Sequence, residues 1–356
     1  MNKLLIFTYL ISTLFIGLVG CKNDFDLTSD WQEISIIYGL INPKDTTHYI
    51  KIEKAFLDDK TSALTIAKEG DSLYHSQPLE VKIRDANNGT EYVLNRVDGN
   101  LIGFPKEAGI FATSPNYIYT FTALLNDKHI YALTVRNTVT GQVDSASCRL
   151  VNGFQAQNPG VASPVALNFI TNSVPPFPFD CRYVPAMEGR VYSLKAKIRY
   201  HETTRTDPSN IIGRDTIQWN IFDNIALDKL NEVYPPKSVK VAMSDFYQVV
   251  QNNVAFDINK NRYLDGIDFV WGYGGEELFN YQQVNNAQTG ITSEQVLNRF
   301  TNIKGDKAFG IFSSRSYDYS HDNFYLNASS LDSLACGIYT KGLRFEGFTG
   351  PNKFCD

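Results

Sequence analysis

Apolar and polar residues alternate with a period of two along much of this chain, the pattern of strands that bury one face. Near the start, Ile34, Ile36 and Tyr38 alternate with Ser35 and Ile37. After Asn42-Pro43-Lys44-Asp45, a run of turn-forming residues, the alternation resumes through His48-Tyr49-Ile50-Lys51-Ile52-Glu53-Lys54. The pair predicts an opening hairpin. Leu79-Glu80-Val81-Lys82-Ile83-Arg84 predicts another strand, Asn87-Asn88-Gly89 a turn tolerant of positive φ, and residues 90–94 the returning strand. Residues 117–121 and 131–135 read as strands flanking the polar Asn126-Asp127-Lys128, and Thr140-Gly141 turns into residues 143–150.

Residues 153–180 break the pattern with Pro159, Pro164, Pro175, Pro176 and Pro178. Proline removes ladder donors and stiffens a connection, which predicts a linker. Longer strands follow at residues 190–200 and 215–221, on either side of a polar loop at 201–214. Ser244 is placed to cap a helix over 245–253 with Phe246, Val249 and Val250 on one side, and Ser293 a second helix to Arg299. Residues 267–271 read as a strand running into Gly272-Tyr273-Gly274-Gly275, and two late strands are expected at 308–312 and 343–348. The fold class is therefore mostly β. An immunoglobulin-like or fibronectin-like antiparallel sandwich is expected over 31–152, and a second β-rich domain with one or two short helices over 181–356.

The N-terminus departs from this alternation. Lys3 is followed by a mostly apolar run over residues 4–18, too short for a bilayer-spanning helix, which needs about 20 residues, but suited to a signal peptide. Leu18-Val19-Gly20-Cys21 ends that run and resembles the bacterial lipobox, which implies removal of residues 1–20 and lipid on Cys21. Several acyl chains on one residue give stable membrane attachment. Residues 21–30 then form a tether, in which Lys22-Asn23-Asp24-Phe25-Asp26 resembles the signal that sends Bacteroidetes-type lipoproteins to the outer face of the outer membrane. Residence on the periplasmic face is the other reading.

Composition narrows the function. Net charge is −5 with no sustained basic block, which argues against nucleic-acid binding. The 20 Tyr and 23 Phe favour pleated, half-buried surfaces, and most are expected in cores rather than on a sugar-stacking platform. With Cys21 lipidated, Cys148, Cys181, Cys336 and Cys355 remain, an even number suited to an oxidising compartment. Loop length favours Cys148–Cys181 and Cys336–Cys355, with buried free thiols as the alternative. No C-x-x-C spacing suggests a thiolate metal site.

The chain also resembles the uncharacterised two-domain lipoproteins of Bacteroidetes-type bacteria that carry a domain of unknown function. The resemblance rests on the lipobox, on Tyr38-Gly39-Leu40-Ile41 followed by His48-Tyr49-Ile50-Lys51-Ile52, and on Phe300-Thr301-Asn302-Ile303-Lys304-Gly305 with Phe309-Gly310-Ile311-Phe312-Ser313. It covers nearly the whole mature chain. It implies a cell-envelope role near an outer-membrane transporter and lends no catalytic residue.

Chemistry-bearing constellations are sparse. Asp257, Asn259, Asn261, Asp265 and Asp268 match oxygen positions of a calcium loop, with Tyr263 giving a carbonyl, but Arg262 stands where that loop has its turning glycine. An Asn-rich turn between strands is the plain alternative, so no cofactor is expected unless it is Ca2+. Asp-Ser/Thr triplets at Thr46, Ser72, Ser145, Thr216 and Ser333 resemble the O-glycosylation signal of the same bacteria, and equally suit turns and strand starts. The five histidines stand far apart, no G-x-S-x-G elbow occurs, and the neighbouring Glu276 and Glu277 define no glycosidase geometry. The expected function is a non-enzymatic binding or assembly component of the envelope, touching protein or glycan. A lipid-anchored hydrolase built from distant residues and a purely adhesive surface module are the alternatives.

Overall fold

The computed structural model describes residues 34–55, 62–160, 166–170, 178–227, 235–288, 300–320, 324–349 and 353–355. Cys21, the tether and the helix expected at 293–299 lie outside the described residues.

The chain is mostly β. Its first seven strands are β1 (Ile34–Ile41), β2 (Thr47–Ala55), β3 (Glu80–Asp85), β4 (Glu91–Asp98), β5 (Tyr117–Thr122), β6 (Ile130–Arg136) and β7 (Val143–Arg149). They are ordered β1-β2-β5-β4-β3-β6-β7. That is the strand order of an immunoglobulin-type sandwich, one layer β1-β2-β5-β4 and the other β3-β6-β7. β4 joins the layers: Glu91 to Leu94 pair with β3, and Asn95 to Asp98 with β5. The core between them is largely β-branched and aliphatic, with Ile37, Ile50, Val81, Ile83, Leu133 and Val135 almost fully buried.

In β1 the buried set is Ser35, Ile37, Gly39 and Ile41, while Tyr38 is exposed. The sequence alternation had grouped Ile34, Ile36 and Tyr38. A strand apolar on both faces leaves its orientation to tertiary packing, and here a second strand covers β1 from the side.

The second half contains β8 (Gln155–Asn158), β9 (Ala166–Leu167), β10 (Phe179–Val184), β11 (Val191–Thr204), β12 (Ile211–Ala226), β13 (Lys237–Val241), β14 (Lys260–Gly274), β15 (Ala308–Tyr319) and β16 (Tyr325–Leu326). Its helices are α1 (Met243–Asn253), α2 (Glu276–Gln288) and α3 (Ala328–Cys336). The expected linker thus contains short strands, and β8 stops at the residue before Pro159. Helix α1 begins before the expected Ser244 cap. Its N-cap is Ala242, with no side-chain cap, and Asp245 supplies the negative charge favoured in a first turn. The strand expected at 343–348 is only a bridge, Phe345 beside Arg262.

The long β11–β12 hairpin and β14 carry an aromatic core. Phe154, Tyr183, Tyr192 and Trp271 have ring centroids 5.1–6.3 Å apart where they meet, and Phe169 stacks on Phe246 at 4.9 Å. The buried indole of Trp271 donates to the Pro159 carbonyl at 3.0 Å.

Strand β15 joins the two halves. Its first part, Ala308 to Ser314, runs parallel to β1, and its second part, Arg315 to Tyr319, runs antiparallel to β14. Just before it, Lys304 exchanges backbone hydrogen bonds with Ser145 of β7 (2.8 and 2.6 Å). Residues 303–314 therefore bridge the β7 edge and the β1 edge of the first sandwich. Ile303, Ala308 and Phe312 complete its core, although the sequence had assigned them to the other domain. Asn302 clamps the strand, its amide giving and taking bonds at Phe312 (2.7 and 2.9 Å). Gly310 lies so close to Ile37 that a Cβ would stand 2.8 Å from the Ile37 carbonyl carbon, and its φ of 122° excludes other residues without strain.

Candidate functional site

The alternation in β11 and β14 sends Tyr192, Leu194, Ala196 and Ile198, with Ile267, Phe269, Trp271 and Tyr273, into the aromatic core. The opposite face presents Ser193, Lys195 and Lys197 beside Val270 and Gly272, and β15 adds Arg315, Tyr317 and Tyr319. Helix α2 walls one side of this face with Leu278 and Gln282, and Asp223 and Asn224 at the end of β12 close another. Together they outline a groove of about 230 Å³.

The floor depends on a missing side chain. A Cβ on Gly272 would sit 2.6 Å from Ser193 Oγ and 3.2 Å from the Tyr317 ring, so glycine lets Tyr317 lie flat on the strand. The Arg315 guanidinium stands 5.1 Å from that ring centroid, and the Tyr319 ring 6.2 Å. Burial pushes the Tyr317 hydroxyl above its ordinary pKa against the pull of Arg315, so it is a neutral donor near pH 7. Among the described residues, the buried Gln282 side-chain oxygen has no hydrogen-bond partner. Lys195 and Arg315 supply cations, Asp223 an anion, and Asn224 an amide. Aromatic faces beside planar polar groups suit a hydroxyl-rich or peptide ligand.

The sequence-predicted sites are distributed differently. β14 begins at Lys260, so Asp257, Asn259, Asn261, Asp265 and Asp268 are strung along a turn and an extended strand and do not surround one point. Asn261 is buried and accepts from Arg344 (2.8 Å), Asp265 accepts from His201 (2.6 Å) and Arg214 (3.3 Å), and Asp268 takes a bidentate pair from Arg199 (2.8 and 3.2 Å). The expected calcium loop is not closed: Asp257 accepts from Asn259 N (2.9 Å) in the turn, and from Lys260 onward the chain runs extended against β11.

Cys336 and Cys355 form a disulfide with Cα atoms 5.4 Å apart. The expected Cys148–Cys181 bond is not formed. Cys148 sits on β7 in the first core and Cys181 on β10 in the second, both as buried free thiols. Burial pushes the Cys148 thiol well up and that of Cys181 to about 12. Of the triplet hydroxyl residues, Thr46 and Thr216 are exposed, whereas Ser72, Ser145 and Ser333 are half-buried. Ser72 and Ser333 donate to backbone carbonyls at 2.6–2.9 Å.

One constellation that the sequence does not reveal is Ser35, His75 and Asp144, which lie in three distant segments and are 4, 8 and 2 % exposed. His75 Nε2 is 3.3 Å from Ser35 Oγ, and Asp144 accepts from Ser35 and from Gln142 Nε2 (2.9 and 3.1 Å). Serine thus stands between histidine and carboxylate, not the order that activates a nucleophile, in which the base is held by the acid. Gly305 lies directly on Asp144, where any Cβ would collide with the carboxylate. Gln142 also donates to Lys307 O (3.2 Å), and Ser35 N to the same carbonyl (2.9 Å). The cluster pins residues 304–307 onto β1 and β7. Burial pushes the Asp144 carboxyl up, partly offset by its donors.

The remaining described histidines are also committed. His129 Nδ1 meets Asp85 at 2.7 Å, His201 stacks on Tyr263, and His48 stacks on Phe121 with its pKa lowered by burial. Glu277 accepts from Ser313 Oγ (3.0 Å) at the start of α2. The chain matches no protein-family model, and no curated protein matches it in sequence.

Proposed function

We propose that this protein is a lipid-anchored component of the cell envelope that binds a glycan or a peptide segment of another envelope protein in the groove between α2 and the β11–β14–β15 face. Attachment through Cys21 to the outer membrane, on its outer surface, rests on the apolar run and Leu18-Val19-Gly20-Cys21. Kinship with the two-domain lipoproteins and proximity to an outer-membrane transporter belong to the same reading.

The observation that carries the binding role is the groove itself. It combines the Tyr317 ring on a glycine floor with the Lys195, Arg315, Asp223 and Asn224 side chains around it. Titration of the purified mature chain against a glycan array and against peptides from copurifying envelope proteins tests it. Binding that falls on the order of tenfold with Tyr317→Ala, and less with Tyr319→Ala, is expected, since one aromatic contact is worth roughly 1 kcal/mol or more. Binding untouched by Tyr317→Ala would remove the groove from the account.

A further inference from the structure

The two ends of the first sandwich differ in character. Antiparallel pairing places the start of β1, the end of β2, the end of β4, the start of β5, the end of β6 and the start of β7 at one end, through the pairs Ile34–Ala55, Asp98–Tyr117 and Arg136–Val143. The loops there expose Leu101 (84 %), Val139 (73 %), Leu64, Ile102, Ile110 and Phe111, while Phe104 folds back onto the Tyr49 ring (4.6 Å). At the other end, the turns at 42–46, 86–90 and 123–129 expose only one large apolar side chain among the described residues, Leu124.

The longest of the apolar loops, residues 99–116, is firmly built. Asp98 accepts from Asn100 N (3.0 Å) and Asn116 N (3.2 Å), and Asn100 reaches Thr113 O (2.9 Å) and Lys106 N (3.0 Å). Asn116 Nδ2 donates to Phe104 O (2.8 Å), and Lys106 is drawn inward to Glu53 (3.5 Å). Asp98, Asn100 and Asn116 hold the backbone from within, while Leu101, Ile102, Ile110 and Phe111 face out. That reverses the usual polarity of a surface loop.

The chain itself identifies what covers this end. Ile34 opens β1 there, and Cys21 precedes it by 13 residues, a reach of at most about 45 Å. An acylated Cys21 would thus hold the protein to the bilayer by a strand that enters the fold at this end. We infer that the apolar loop tips at 101–111 and 139 insert into the acyl–headgroup boundary, orienting the protein with its polar end outward; this rests on the anchoring reading above.

The test uses the lipidated full chain carrying Phe111→Trp, with Ile110→Trp as a second reporter and Leu124→Trp at the opposite end. Each is reconstituted in phosphatidylethanolamine–phosphatidylglycerol vesicles with brominated acyl chains. A blue shift and loss of emission are expected at positions 110 and 111, with none at 124 beyond the parent chain. Tryptophans at 110 and 111 that stay open to acrylamide and unquenched by bromine, on a chain whose mass shows lipid on Cys21, would overturn the inference and leave the anchor intact. Protection from acrylamide only after a protein partner is added would overturn it in favour of a protein interface. A membrane-purified chain without lipid on Cys21 would overturn both.

Discussion

The two cores of this protein solve the same problem with different side chains. The first packs Ile, Val and Leu between short strands, and it is finished only when Ile303, Ala308 and Phe312 arrive from the far side of the sequence. The second packs Phe, Tyr and Trp under long strands, and its buried side chains all come from residues 151–345. β-branched side chains tile a narrow sandwich closely, whereas large rings fill the wider space beneath a long twisted hairpin and a helix. One core therefore depends on a distant segment and the other on its own bulk, so the halves should respond differently to damage.

The largest effect is expected at the shared strand. Phe312→Ala should cost about 3–5 kcal/mol in denaturant unfolding, as for other buried Phe truncations. Gly310→Ala should also fall heavily, because it forces a Cβ onto Ile37 at a φ that only glycine adopts freely. A fragment covering residues 31–152, lacking residues 303–314, should fail to give a cooperative transition. If that fragment unfolds cooperatively with native-like stability, the dependence of the first core on β15 is wrong.

A smaller effect is expected at the C-terminus. Cys336→Ser opens the 19-residue closure to Cys355 and should cost up to about 3 kcal/mol. Alkylation of the unmodified chain tests the opposite expectation at Cys148 and Cys181: both thiols should resist the reagent in the native protein and react only on unfolding.

The smallest effects separate two buried carboxylates of the first core by pH. Burial raises the Asp85 pKa, but the His129 ring and the Asn87 N–H outweigh it, and its net shift is downward from 3.8. Its contribution is present above pH 3.8 and lost as pH falls through the lower folded value. Asp144 is shifted upward, so the folded state holds its proton longer and stability falls as pH rises from 3.8 through the folded value. Unfolding followed from pH 2 to 7 should show Asp85→Asn removing the acid-side loss and Asp144→Asn flattening the fall above pH 3.8.

Much of the architecture was legible in the sequence, since period-two alternation and polar turns depend on local chemistry. The strands at 48–54, 79–84 and 117–121 and the Asn87-Asn88-Gly89 turn follow from it, as do the middles of β11 and β12, although the polar loop expected at 201–214 is strand at 201–204 and 211–214. Twelve Tyr and Phe residues are buried in the second core and four in the first, the core packing expected of them, with Tyr317 and Tyr319 left on the open face. Helix α3 was not expected: Asn327 caps it through Ser330 N (2.9 Å), but its Ala-Ser-Ser start carries no apolar periodicity. What local pattern could not carry was long-range pairing. Nothing around Ser35 foretells Lys307, and loop length wrongly joined Cys148 to Cys181 because sequence distance says nothing about which core receives each strand. The groove was equally hidden, since Tyr317, Gly272 and Gln282 lie on three elements that meet only in the folded sheet.

Intact-mass and non-reducing peptide mass spectrometry of the protein taken from its native membrane decides whether it is lipid-anchored through Cys21. The expected result is a chain beginning at Cys21 with a thioether lipid and an N-acyl group, one linked Cys336–Cys355 peptide, and two thiols at Cys148 and Cys181 that alkylate only after denaturation. A chain that retains Met1 and carries no lipid would contradict envelope anchoring and everything proposed from it.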